Sequence, residues 1–424
     1  MTTLDRRRFL AALGGLGIGL TVAGCGSPAT TDPGSLTLWY KNGGMSDAVL
    51  AEAAQRFAGD RFDPAAVSDV RPKLLTSLAG RAYTPDMAML NDDIALYFRN
   101  SDRFVDLNTL GAAALRDQYL PWKWQAGSTP DGKLLGFPID TGPSALYYRK
   151  DLFEQAGLPH EPDDVAAAVP TWEDYFALGR QLLKALPGRY LIADAKTVYT
   201  YSLAQEPQKY LDRQGRFIGD QEHVRRAWDR AVSAVQQKLT AGFFDNAKQS
   251  SDRQSAWNSG TEVSFVGASW MYGSLTEAAA GTAGKWRVCR SPGGPGNQGG
   301  SFVGITSVCP APERAYEIVT WLLSPANQAR HYADKGLFPS APAAYTDPVA
   351  RRADPFFGGQ VVADVFAESA RGVKPAYFSA YDVTISDTIT DELVNVESAG
   401  KDPETAWRDA RAAVDQLLQR AGVL

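Results

Sequence analysis

The chain alternates two kinds of hydrophobic pattern. Ser35 to Tyr40 reads polar, apolar, polar, apolar and then aromatic, and stops at Asn42-Gly43-Gly44, which predicts a strand running into a loop. Asp47 to Phe57 then places Val49, Leu50, Ala53, Ala54 and Phe57 at helical spacing behind Ser46, a good N-cap. Arg71 to Leu78 predicts a second helix, and Asp86 to Leu90 a short buried strand that ends in Asn91-Asp92-Asp93. Strand, helix, strand in that order predicts an α/β fold, and in open α/β sheets the loops at the carboxyl ends of strands bind ligands.

Residues 135 to 149 form an extended stretch broken by Gly136, Pro138, Gly142 and Pro143, which predicts a crossing between two domains ahead of a helix at Lys150 to Ala156. The Pro- and acid-rich run Leu158 to Val169 predicts a loop, and Thr171 with Asp174 three residues on predicts a capped helix start. Helical patterns follow at Tyr175 to Ala185, His223 to Thr240 and Ser251 to Asn258. Glu262 to Gly267 and Lys285 to Arg290 predict strands, the Gly/Pro/Asn run Ser291 to Gly300 a loop, and Ser301 to Val308 a strand at a second crossing. Ala311 to Tyr332 predicts a helix pair broken at Ser324-Pro325, and three further helices cover Gln360 to Ser369, Thr384 to Glu397 and Pro403 to Leu418. No fixed-period repeat is visible, which argues against solenoids and propellers.

The amino terminus changes the picture from fold to address. Arg6-Arg7-Arg8-Phe9-Leu10 precedes an uncharged run to Val22 that is too short and glycine-rich to span a bilayer, the order of a signal peptide over residues 1 to 24. The paired arginines resemble a twin-arginine export signal, although Asp5 departs from its usual Ser or Thr; the general secretory route is the alternative. Val22-Ala23-Gly24-Cys25 resembles a lipobox, so Cys25 is the candidate lipidation site, with residues 25 to 34 a flexible lipidated tether. Loss of the leader removes Asp5 and three arginines, taking the formal charge from −5 to −7, which gives no support to a nucleic-acid partner. Cys289 and Cys309 would then remain, a possible disulfide in an oxidising compartment.

Gly136 to Leu158, with Gly136, Pro138, Asp140, Tyr147-Tyr148-Arg149-Lys150-Asp151-Leu152-Phe153-Glu154 and Ala156-Gly157, closely resembles the signature of family 1 extracellular solute-binding proteins, the carbohydrate-binding lipoproteins of ABC importers. Pro170 to Asp174, Trp257 to Trp270 and Gly299 to Ile305 are similar to further elements of the same family. The resemblance implies a type II, two-lobed periplasmic-binding-protein-like fold with a hinge between lobes. One lobe would hold residues 35–139 and 303–345, the other 143–300 and 348–424. It also implies capture of a sugar or sugar derivative by lobe closure, membrane permease subunits as partner, and a monomer at the outer face of the cytoplasmic membrane.

A sugar needs aromatic rings for its C–H faces and fixed polar groups for its hydroxyl rim. The candidates are Trp39, Tyr40 and Asn42 after the first strand, Asn91 and Asp92 after a later one, Asp140, Gly300 and Ser301 at the crossings, Trp270 and Tyr272, and Tyr377 and Tyr381. Several have a plainer alternative: Trp39 as core, Asp140 as a hinge cap, and Trp122 and Trp124 as packing aromatics. His160, His223 and His331 are scattered without metal spacing, and neither a phosphate-binding loop ending nor a Gly-x-Ser-x-Gly elbow is present, so neither metal, cofactor nor catalysis is expected. A lipid-anchored glycosidase is the enzyme alternative, and a glycerophosphodiester or a polyol the alternative solute.

Overall fold

The computed structural model describes residues 34–80, 83–242 and 251–423. The signal peptide, Cys25 and the tether up to residue 33 lie outside the described residues.

Two larger sheets organise the chain. In the first, the strands β1 (Leu36–Lys41), β2 (Phe62–Val67) and β3 (Met87–Leu90) run parallel, and the sheet is completed by β4 (Phe137–Pro138) and by a strand from far downstream, Phe302–Ile305. That late strand is antiparallel to both neighbours, pairing Leu90 with Phe302 and Pro138 with Phe302. At the crossing, β5 (Asp140–Thr141) pairs with Phe338–Pro339. The second sheet has β6 (Ser144–Arg149) at its centre, flanked by β7 (Ser264–Ala268) and β8 (Trp286–Arg290), both antiparallel to it. In chain order the two late strands are β9 (Phe302–Ile305) and β10 (Phe338–Pro339).

Local chemistry explains most elements. Ser46 Oγ accepts the Val49 amide at the start of helix Asp47–Arg56, and Thr171 Oγ1 accepts the Asp174 amide at 3.1 Å at the start of helix Trp172–Ala185. The downstream pair, helices Pro312–Leu322 and Pro325–Lys335, breaks at the predicted place because Pro325 opens a new first turn. The run Leu158 to Val169 is not all loop, as its composition predicts, but contains the helix Pro162–Ala168. Pro162 in the first turn with Asp163 and Asp164 behind it is a helix start, since that turn needs no proline N–H and favours negative charge. The helix Ala195–Ala204 has no counterpart in the sequence pattern, because Thr197 to Tyr201 alternates β-branched and aromatic residues as a strand would.

One apolar core gathers around the first sheet, with Leu38, Met87, Phe137, Val303 and Ile318 among its members. Another surrounds β6 and β7 on one face of the second sheet, with Tyr148, Trp172, Tyr199, Trp228 and Ile389. A third, containing Tyr147, Phe265, Trp286, Phe338 and Phe366, occupies the other face of that sheet and reaches β10. Cys289 belongs to the second of these cores and Cys309 to the first; both are buried free thiols, so the possible disulfide is not formed. Burial pushes both thiols above the usual cysteine range, Cys309 to about 11, which keeps them protonated.

At the crossing the backbones touch. A β-carbon added at Gly142 would lie 2.0 Å from the Gln298 carbonyl oxygen. Gly142→Ala should therefore destabilise the protein by about 1–3 kcal/mol, the range for forced overpacking. Urea unfolding of the variant checks this, and an unchanged midpoint would contradict it.

Candidate site at the crossing of the two sheets

A cavity of about 330 Å³ opens where the chain crosses between the sheets. Asp92 and Asp93, just beyond β3, line it together with helix Ala195–Ala204, Arg253, Trp270 and the start of helix Asp382–Ala399. Among the described residues, no group of acidic, histidine and cysteine side chains has the makings of a metal site.

Most wall residues are held from behind. Trp270 Nε1 donates to the Gln298 carbonyl at 2.9 Å, which fixes the ring edge against the crossing loop. Asp194 caps its helix by accepting the Thr197 amide at 2.6 Å; burial raises its carboxyl, with that bond and Arg253 pulling the other way. Down the same helix, the Tyr201 hydroxyl accepts the Ala268 amide at 2.8 Å and the Tyr199 hydroxyl meets that of Tyr210 at 2.9 Å. Asp382 accepts the Ser379 amide and hydroxyl at 2.9 and 2.7 Å. Asp93 accepts Arg71 at 2.7 Å through Oδ2, while its buried Oδ1 has no protein partner. A buried acceptor in that state carries an uncompensated desolvation cost.

The lining cations face carboxylates. Arg253 grips Glu262 with two bonds of 3.1 and 3.0 Å, Lys196 Nζ lies 3.8 Å from Asp387, and Lys209 draws the Asp382 carboxyl down against the upward push of burial. Lys209 also sits 4.5 Å from the centre of the Phe378 ring. This wall offers acceptors, hydroxyls and rings more than it offers uncompensated positive charge.

The sequence candidates divide into groups. Asp92 and Trp270 lie on the wall. Tyr377 and Tyr381 bracket the wall residue Phe378 and precede Asp382; Tyr377 packs on the second-sheet core, and the Tyr381 ring lies 4.7 Å from the Arg99 guanidinium, which also donates to its hydroxyl. Asp140, Gly300 and Ser301 lie at the crossing, where the Ser301 amide donates to Asp140 Oδ1 at 2.7 Å. The remaining candidates are off the wall. Trp39 is only 4% exposed, in a core with the Lys73 ammonium 4.2 Å over its ring. Tyr40 packs beside the first-sheet core, its hydroxyl pKa raised by burial and then by Asp47; Asn42 is exposed in the turn beyond β1, and Asn91 is half-buried. Tyr272 turns away, its hydroxyl donating to Asp354 and its ring stacked on Phe357 at 5.5 Å. Trp122 and Trp124 are core residues. Asp194 and the tyrosines that follow it are absent from the sequence candidates because their helix is absent from the pattern. The signal that could have found them is Asp194 itself, an acid placed to cap a helix beginning at Ala195.

The fold and the cavity together define a two-lobed solute binder. Residues 61–356 match the model of the bacterial extracellular solute-binding proteins, and the chain belongs to that family. It is 26% identical over 366 residues to a lactose-binding protein of Rhizobium radiobacter, covering 79% of this chain and 82% of that one. It is 21% identical over 308 residues to an arabinooligosaccharide-binding protein of Halalkalibacterium halodurans, covering 68% and 67%. A solved extracellular solute-binding protein of family 1 superposes with a TM-score of 0.83 at 27% identity, covering 91% of this chain and 99% of that one. Proteins of this family are exported and bind solutes for transport, and are not enzymes.

Arg253 is the partner on which the fully buried Glu262 depends. Arg253→Met leaves that carboxylate without its cation and should cost about 3–5 kcal/mol. Adding Glu262→Gln should restore much of that loss in a thermal or urea melt; two additive losses would contradict the coupling.

Proposed function

We propose that this protein captures a neutral oligosaccharide in the cavity beside Trp270 and delivers it to the membrane permease of an ABC importer. The observation that carries this reading is a fixed indole and carboxylates lining one cavity: Trp270 together with Asp92 and Asp93. An indole suits the C–H face of a pyranose, and carboxylates suit its hydroxyls. The lactose-binding relative supports a sugar, and the compensated lining cations favour a neutral one over a glycerophosphodiester.

In this reading the lobes exchange near residues 139–143 and 300–303, and hinge closure over the sugar creates the form that the permease recognises. The chain acts as a monomer, held at the outer face of the cytoplasmic membrane by lipid on Cys25 after removal of residues 1 to 24.

Calorimetry with lactose, other neutral oligosaccharides, a polyol and sn-glycerol 3-phosphate tests the solute class. Heat with a neutral oligosaccharide and none with the phosphate is expected; binding of the phosphate alone would overturn the reading. Against the sugar that binds, Trp270→Ala should weaken affinity by about 1–3 kcal/mol, the range for a buried aromatic. Unchanged affinity would remove Trp270 from the site.

A further inference from the structure

Arg99 lies on the 3₁₀ segment Ile94–Arg103, which begins directly after the wall residues Asp92 and Asp93 and gives Ala95 to the same wall. That segment is seated on the core beside the first sheet, where Ile94 and Tyr97 are buried with Trp39, Leu90 and Phe302. Tyr381 comes from the other side. It immediately precedes helix Asp382–Ala399, whose first residues Asp382 and Val383 line the cavity, and its ring packs on the core of the second sheet. Arg99 and Tyr381 therefore belong to two separately packed cores, and each is carried by an element that supplies cavity wall.

The two side chains meet. Arg99 Cζ lies 4.7 Å from the centre of the Tyr381 ring, and Nη2 donates to the Tyr381 hydroxyl. Among the described residues Arg99 has no carboxylate partner, so its side-chain contacts point to this ring. Tyr381 is held from behind: its amide donates to Ser379 Oγ at 3.2 Å, and Ser379 Oγ donates to Asp382 Oδ1 at 2.7 Å. The turn that presents the ring is thus the turn that sets Asp382 on the cavity wall.

A guanidinium is drawn to a ring face only within about 6 Å of its centre, and a hydrogen bond has a shorter reach still. Any opening that moves the two walls apart breaks both contacts together. An interaction made in one arrangement and lost in the other is what biases an equilibrium between them. Arg99 itself is exposed, so the pair can part without uncovering either core.

We infer that Arg99 and Tyr381 form a latch beside the cavity, two positioning residues that hold the Asp92–Asp93 wall against the Asp382 wall and so set how long a captured solute stays. The consequence for release rests on the solute-binding reading; the latch itself is a property of the chain without solute. An exposed cation–ring contact shifts an equilibrium about two- to fivefold. For a bound solute that shift falls on release, because the open form that first meets the solute does not make the contact.

Small-angle X-ray scattering of the full chain without solute, fitted as a mixture of open and closed forms, tests the latch. Arg99→Ala should lower the closed-to-open ratio about two- to fivefold. Tyr381→Phe, which keeps the ring and removes the hydroxyl, should lower it by less. An unchanged ratio in Arg99→Ala would overturn the inference. Stopped-flow release of lactose separates positioning from direct contact with the solute. Arg99→Ala and Tyr381→Leu should each speed release, and the double variant should release no faster than Tyr381→Leu alone; effects that multiply would show two independent roles and overturn the latch. A lowered closed-to-open ratio with no lactose binding by any variant or by the wild type would support the latch and count against lactose as the solute.

Discussion

The structure depends on a meeting of backbone and buried charge where the chain passes between its two sheets. Asp140 on the outgoing strand accepts an amide from Ser301 on the returning one, and Asp92 accepts the amide of Gly299 two residues earlier. With Gly142 packed against the Gln298 carbonyl, the two passes cannot slide independently. β9 then joins the first sheet between β3 and β4, so the return pass is locked into the register of that sheet.

The cavity inherits its order from this crossing. Trp270 is tied to Gln298, Asp92 to Gly299, and Tyr201 to the end of β7, so wall residues from distant parts of the chain are fixed to the crossing or to the strands that flank it. Such support from behind is what a binding site needs, because a ligand then meets groups whose ordering cost was met during folding. Asp93 is the exception, held by Arg71 through one oxygen while its Oδ1 is left without a protein partner.

Much of the fold was legible in the sequence because its signals are local. Ser46 and Thr171 cap helices, Pro325 breaks a helix pair, and glycine and proline mark the crossing between 136 and 143. Less of the site was legible, because cavity walls depend on which side of an element faces the cleft. Trp39 and Tyr272 have the residue types of a sugar site, yet one is packed in a core and the other bonds Asp354. The helix Ala195–Ala204 escaped because its β-branched and aromatic run suggests a strand, while tertiary packing against helix Glu222–Gln236 makes it helical.

A sugar bound in this cavity should draw the two lobes together, and delivery to a permease depends on that closure. Small-angle X-ray scattering of the full chain with and without a saturating oligosaccharide that gives heat in calorimetry tests it most directly. A smaller radius of gyration in the bound state is the predicted result; an identical radius in both states would contradict closure.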